Sequence, residues 1–243
     1  MRLAWYLGLG AVVVGLTGCA AWRPSAPTVA DSSWAQASQV PRATGPWRVH
    51  AMPGKTPGTV TPVWFEGREA LSVHVPVALS LVRQPTRVPP EALRSVRFSW
   101  WVPQLIEGAD LTDRDQADSP VRLVLAFDGD RSRLSAKQQM MSELSRSLTG
   151  EELPYAMLMY VWSNQAPLES IIHSRRTDRI RKLVVDSGST QLGRWRDHWR
   201  DIRADFERAY GEPPGALIGV GVMSDTDNTQ TDHRVWYGPV RLD

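Results

Sequence analysis

The chain has 243 residues, which is long enough for one large domain or two small ones. Lys and Arg number 28 against 26 Asp and Glu, so the formal net charge of +2 excludes the strongly basic surface of a nucleic-acid-binding protein. The 11 tryptophans are typical of a β-sandwich core, a protein interface or a surface on which sugars stack.

The N-terminus has the pattern of a processing signal. A short positive start and an apolar run from Leu3 to Gly15 lead to Cys19, the only cysteine of the chain. Leu16-Thr17-Gly18-Cys19 resembles the bacterial lipobox, which predicts a lipoprotein signal peptide over residues 1–18 and lipidation of Cys19. Acyl chains on Cys19 would attach the protein to a membrane without spanning it. The alternative is an ordinary signal peptide with a chance cysteine.

The residue after the cysteine is Ala20, where Asp would imply retention at the inner membrane of a Gram-negative host. The lipobox resemblance therefore implies, for such a host, an outer-membrane lipoprotein that faces the periplasm. Residues 19–44 are rich in Ala, Ser, Pro and Gln and lack periodicity, which predicts a flexible tether with Trp34 as a candidate to dock on the domain. Residues 45–243 are predicted to form one folded domain.

Short segments with alternating or continuous apolar residues, separated by turn signals, dominate this domain. They predict strands over residues 46–51, 59–65, 68–77, 94–102, 121–128, 155–162, 169–173, 179–186, 217–223 and 235–242. Helical spacing predicts one helix over 136–148 and a second, with apolar residues from Trp195 to Ala209, over 193–210. The pattern predicts a mainly β fold: an antiparallel β-sandwich of jelly-roll, galactose-binding-like or concanavalin-like type, decorated by two α-helices.

Several blocks occur in the order of a known bacterial family. They read VRLVLAFDGD, LTGEELPYAMLMYVW, DRIRKLVVDSG, LGRWRDHWRDIRADFERAYGEPPGALIGVGVMSDTDNT and YGPVRL. They resemble the secreted domain of unknown function 3047, over most of residues 46–243. The resemblance implies no established activity. The closing strand-turn-strand, residues 216–243, is also similar to jelly-roll carbohydrate-binding modules with the galactose-binding-like fold.

Acidic residues cluster in two loops. Asp225, Asp227 and Asn228 offer oxygen ligands of the kind that calcium prefers, so they are a candidate structural calcium site. The alternative is a turn in which Asp and Asn cap local backbone groups. Four further acids supply either the other half of this site or a solvated rim: Asp110, Asp113, Asp115 and Asp118.

Aromatic side chains are the candidates for ligand binding, because a sugar ring stacks on an indole. Trp101 is the first of them, since it alternates out of register with Phe98 and Trp100 and so lies on the opposite face of its strand. The other candidates are Trp162, Trp236 and Tyr237. For any single tryptophan the competing interpretation is a core residue.

No catalytic signature is present: none of the five histidines falls in an HExxH pattern, and there is no G-x-S-x-G motif. Asp128 and Asp130, which leave a predicted central strand, are the nearest approach to a carboxylate pair for glycoside hydrolysis, and a simple turn explains them as well. The sequence therefore favours a lipid-anchored cell-envelope protein that binds carbohydrate or an envelope component without catalysis. The alternatives are a secreted polysaccharide hydrolase or lyase with acidic catalytic residues, and a structural lipoprotein that binds another protein.

Overall fold

Two β-sheets packed face to face form the molecule. The computed structural model describes residues 28–175 and 177–243, so the predicted signal peptide and Cys19 lie outside the described residues. Within the described part of the chain, no helix is long and apolar enough to cross a membrane.

The larger sheet has seven strands in the order β1-β4-β11-β6-β7-β9-β8. Its strands are β1 (Arg48–His50), β4 (Leu79–Val88), β6 (Ser119–Phe127), β7 (Ala156–Ser163), β8 (Ile171–His173), β9 (Ile180–Ser187) and β11 (Leu217–Asp225). All its pairs are antiparallel except β7 with β9, which run parallel. The predicted sandwich is thus confirmed, with one parallel pair in an otherwise antiparallel sheet.

The smaller sheet has the order β10-β5-β12-β3-β2, and a short sixth strand pairs with β5. Its strands are β2 (Thr59–Phe65), β3 (Arg68–Pro76), β5 (Ser95–Trp101), β10 (Trp195–Asp201), β12 (Asp232–Tyr237) and β13 (Arg241–Leu242). Residues 28–175 and 177–243 also form three α-helices: α1 (Ser33–Ala37), α2 (Ala136–Thr149) and α3 (Ile202–Tyr210).

Alternation along the strands builds the core between the sheets. Val121, Leu123, Leu125 and Phe127 of β6 point inward and meet the inward residues of the smaller sheet, such as Phe98 of β5. The outward residues of β6, β7 and β9 are largely apolar as well and form a second buried cluster around Met159 and Val184. The larger sheet is therefore apolar on both faces, whereas one packed face would suffice for a sandwich.

The segment 28–44 is packed against the sandwich, so the predicted tether through residue 44 is wrong for this part. Trp34 is completely buried and meets Trp47 edge to face, with ring centroids 4.9 Å apart. Gln39 donates its backbone N–H to Val240 and accepts one from Leu242, at 2.8 and 2.9 Å. The high content of alanine, serine and proline predicted a flexible segment. Composition does not show that one large apolar side chain, Trp34, packs into the domain and holds the segment in place.

The predicted helix over 193–210 is half wrong, because its first part is the strand β10. Trp195 and Trp199 lie four residues apart, and residues at this spacing lie on the same face of a helix and also on the same face of a strand. Asp201, whose side chain accepts a hydrogen bond from the Ala204 N–H, begins α3. The prediction also omitted β4, whose Pro85 sits opposite the bulge at Gly219.

Candidate functional site

Two of the four predicted aromatic ligand contacts are core residues. Trp162 is fully buried, and its indole N–H donates to the Gly188 carbonyl at 3.0 Å. Tyr237 is also buried, and its hydroxyl donates to the Met223 carbonyl at 2.7 Å. Burial raises the pKa of this hydroxyl far above the usual value. Neither side chain reaches solvent, so the ligand-contact prediction is wrong for both residues in this structure.

Trp101 and Trp236 lie side by side on the outer face of the smaller sheet, as direct partners across β5 and β12. Trp195 pairs with Trp101 on its other side, so three tryptophans form a row. Phe65 stacks on Trp236, with centroids 4.1 Å apart and planes 5° apart, and the Arg68 guanidinium lies 4.5 Å from the Trp195 centroid. The row is partly exposed, but some of its ring faces are already in contact.

The two acidic loops converge, as the calcium prediction requires. Asp118, Asp225 and Asp227 each place a carboxylate oxygen within 4.8 Å of the others. Asp118 accepts hydrogen bonds from the Asn228 and Thr229 N–H groups at 3.1 and 2.7 Å. These contacts are those of a capped turn.

Cations neutralise the other two acids of this cluster. Arg122 Nη1 lies 2.7 Å from Asp225, and Lys55 pairs with Asp227. Burial raises the pKa of Asp225, against the opposing effect of Arg122. The geometry thus brings together the oxygens that a cation needs but already supplies their partners, and calcium stays a prediction.

Asp128 and Asp130 do not face each other as a catalytic pair. The Asp130 carboxylate accepts from the Ser132 N–H and hydroxyl and begins a 3₁₀ turn, and these hydrogen bonds lower its pKa. Asp128 accepts from the adjacent Gly129 N–H and lies 3.7 Å from Arg87. Both are turn residues, which agrees with the competing interpretation that the sequence offered.

A groove crosses the outer face of the larger sheet, with a volume of about 810 Å³. Adjacent strands place Gly219, Ala126, Met157 and Ile180 in one row of its floor. The next row contains Gly221, Val124, Met159 and Lys182. Glycine and alanine lower the middle of the floor, and no Phe, Tyr or Trp lines the groove among the described residues.

Helix α2 forms one wall of this groove with its apolar stripe. Ser135 begins the helix with a capping box, and Gly150 ends it in the left-handed conformation. Leu144 and Leu148 line the groove although their side chains are 58% and 70% exposed, and only Ser142 of the helix is buried. An amphipathic helix normally buries this stripe against the core, whereas here the stripe leaves an apolar surface exposed to solvent.

The charges around the groove are largely paired. Arg83 lies 2.5 Å from Glu151, whose pKa this hydrogen bond lowers, and Glu152 lies 3.1 Å from Arg131. With Asp225 and Asp227, four of the five carboxylates that line the groove are therefore held in ion pairs. Two of these acids, Asp225 and Asp227, have carboxylate oxygens within 4.8 Å of each other, and Arg122 and Lys55 already pair with them.

Sequence reasoning missed the groove, although one signal pointed to it. Val124 and Ala126 make the second face of β6 only half polar, and Gly219, Gly221 and Met223 alternate in the same way on β11. Apolar residues on both faces predict a covered strand. They do not say whether the cover is another layer of the fold or a ligand.

Solved structures with a similar fold include carbohydrate-acting proteins. One is the xyloglucanase domain of NopAA, a type three effector from Sinorhizobium fredii, in complex with cellobiose; it shares 9% identity over 83% of this chain and 99% of that chain, with a TM-score of 0.41. Another is a thermostable cellulase derived from Cel12A of Rhodothermus marinus, with 14% identity over 82% of this chain and 97% of that chain and a TM-score of 0.41. No curated protein sequence matches the chain. The family model described as "Protein of unknown function (DUF3047)" matches residues 45–241, and the chain therefore belongs to this family.

Proposed function

We propose that the chain is a lipid-anchored cell-envelope protein that binds an apolar envelope component in the groove and catalyses no reaction. The observation that carries the proposal is the apolar stripe of α2, which lines the same groove as the apolar outer face of the larger sheet. The α2 stripe is exposed and the floor residues Ala126, Met157 and Ile180 are only half-buried, so an apolar ligand that fits between them would bury further apolar surface. The paired acids argue for binding over hydrolysis.

Binding of the neutral apolar dye Nile red tests this proposal. The wild-type protein is expected to increase the fluorescence of the dye, and Met141→Gln with Leu148→Gln is expected to weaken that binding about tenfold, since each change replaces apolar lining with an amide. The matched control is Met140→Gln, because Met140 lies on the same helix but outside the lining. Equal binding by all variants, or none by the wild type, would refute the proposal.

Anchoring at Cys19 is proposed from the lipobox and has its own test. In a bacterial host, the full chain is expected in the membrane fraction and Cys19→Ala in the soluble fraction of the envelope. Retention of the Cys19→Ala variant on membranes would contradict the anchor.

A second candidate function, carbohydrate binding, rests on the row of Trp195, Trp101 and Trp236 across three strands. Indole edges and partly exposed faces in a line offer contacts for successive sugar units. On a glycan array, Trp101→Ala is expected to abolish binding, whereas Trp199→Ala, a 61% exposed residue of β10, is expected to preserve it. An array without any bound glycan removes this candidate.

A further inference from the structure

We infer that Met52 and Met141 are modification sites, at which oxidation by a peroxide to methionine sulfoxide lowers the affinity of the groove for apolar ligands. The inference rests on the proposed function and adds a way in which binding at the same site is controlled. Its basis is the distribution of thioether side chains over the surface of the domain.

Methionine is concentrated in the groove. The described residues contain six methionines, and five of them line it: Met52, Met141, Met157, Met159 and Met223. A thioether is apolar and adapts its shape, so methionine suits a surface that binds apolar ligands. It differs from the leucine and valine residues of the same lining, because an oxidant converts it into a polar group.

Exposure decides which of these five side chains an oxidant reaches first. Met157 and Met223 are half-buried on the floor, and Met159 is only 7% exposed. Met52 and Met141 are 37% and 40% exposed. These two residues therefore present the sulfur atoms of the groove that a dissolved peroxide can attack without any change in the fold.

The two exposed methionines lie towards opposite edges of the larger sheet. Met52 follows β1, the first strand of that sheet, by two residues. Met141 lies on α2, whose Gln138 bonds to Asp178, two residues before β9 near the other edge. A sulfoxide at either residue thus places a polar group at one margin of the apolar floor.

The reaction is a two-electron oxidation of the Sδ atom. A lone pair of the sulfur attacks one oxygen of hydrogen peroxide, an S–O bond forms, and the O–O bond breaks. The proton of the transferred oxygen moves to the departing hydroxide, which leaves as water. The sulfoxide oxygen is a hydrogen-bond acceptor that a bound apolar ligand separates from water, so the modification opposes binding.

The test measures Nile red binding before and after treatment with hydrogen peroxide, in the Cys19→Ala chain, which lacks the only thiol. Peptide mapping by mass spectrometry identifies the oxidised residues. Oxidation is expected to weaken binding about tenfold, and a methionine sulfoxide reductase is expected to restore it.

Two variants assign this loss to the exposed methionines of the groove. Met52→Leu/Met141→Leu keeps the volume and apolar character of both side chains without their sulfur, so its loss on oxidation is expected to stay below about threefold. Met140→Leu is the matched control, because Met140 is 64% exposed on the same helix but lies outside the lining. It should lose as much affinity as the chain that keeps all its methionines.

The outcomes separate the two hypotheses. If the untreated chain does not bind the dye, the proposed function fails. If the dye binds and its affinity is unchanged once Met52 and Met141 are mapped as sulfoxides, only the oxidation inference is overturned. An equal loss in the double leucine variant also overturns it, because the loss would then come from other side chains.

Discussion

At the edge of the sandwich, one buried carboxylate joins the two sheets. Asp186 of β9 accepts hydrogen bonds from Trp100 Nε1 at 2.8 Å, Arg196 Nε at 2.9 Å and His198 Nε2 at 2.8 Å. Burial raises the pKa of Asp186, but the contacts with His198, Trp100 and Arg196 outweigh it and leave the pKa below its usual value. The sequence predicted a helix over residues 193–210, which includes His198, so this contact between the two sheets was missed.

We expect Asp186→Asn to lower the free energy of unfolding by about 3 kcal/mol, because it leaves buried donors facing an amide in place of a charge. Urea denaturation measures this loss. Asp197→Asn, which removes an exposed carboxylate paired with Arg68, should cost less than about 1 kcal/mol. Equal losses for the two variants would show that Asp186 does not hold the edge together.

A buried histidine predicts how stability depends on pH. His233 is nearly buried, its Nε2 has no hydrogen-bond partner among the described residues, and burial lowers its pKa to about 4, with Asp232 opposing. The unfolded chain takes up a proton near pH 6.5 while the folded one does not, so stability falls as the pH drops from 6.5 towards 4.

We expect this histidine to account for a loss of about 2 kcal/mol between pH 8 and pH 5. Urea denaturation of the wild type and of His233→Leu at both pH values measures the contribution as the difference between their losses. Parallel losses in the two proteins would assign the pH dependence to other groups.

Among the elements, the bounds of a strand with one apolar face could be predicted closely: β3, predicted over residues 68–77, spans Arg68–Pro76. Helix α2 was also predicted, because its stripe and Gly150 are local signals. Its exposure was not predictable, since periodicity gives the direction of an apolar face but not what covers it. The boundary between β10 and α3 was not predicted for another reason. The spacing of Trp195 and Trp199 fits both the helical and the strand period, and only the N-cap at Asp201 marks where the strand ends and the helix begins.

Helix α2 is expected to exchange its amide hydrogens faster than strands β6 and β7, because its only buried residue is Ser142 whereas those strands lie inside the larger sheet. Hydrogen-exchange mass spectrometry at neutral pH measures the difference. Addition of Nile red should slow exchange in α2 and leave β3, in the other sheet, unchanged. Slow exchange in α2 before any addition would mean that the helix is already fixed.

At the scale of the whole molecule, the sequence predicted the sandwich but not the contact between segment 28–44 and the last strand. The segment 28–44 lies outside the family match of residues 45–241, yet it buries Trp34 and bonds to Val240 and Leu242 at the other end of the chain. Long-range contacts of this kind leave no local pattern. The same limit applies to the groove, which is formed by strands far apart in sequence.

We expect Trp34→Ala to lower the free energy of unfolding by about 3–5 kcal/mol, since it opens a cavity beside Trp47. Trp64→Ala removes an equal side chain that is 69% exposed and should cost less than about 1 kcal/mol. Thermal or urea denaturation distinguishes the two. A small effect of Trp34→Ala would mean that the segment contributes little to the domain.

The docked N-terminal segment also limits how far the domain can stand from a bilayer. If Cys19 carries the lipid, only residues 20–27 separate it from Thr28, where the described structure begins. Even a fully extended chain spans about 3.5 Å per residue, so Thr28 stays within roughly 30 Å of the lipid attachment point. The domain would then face the membrane with the surface around Thr28. A ligand that moves between bilayer and protein would diffuse only a short distance through water.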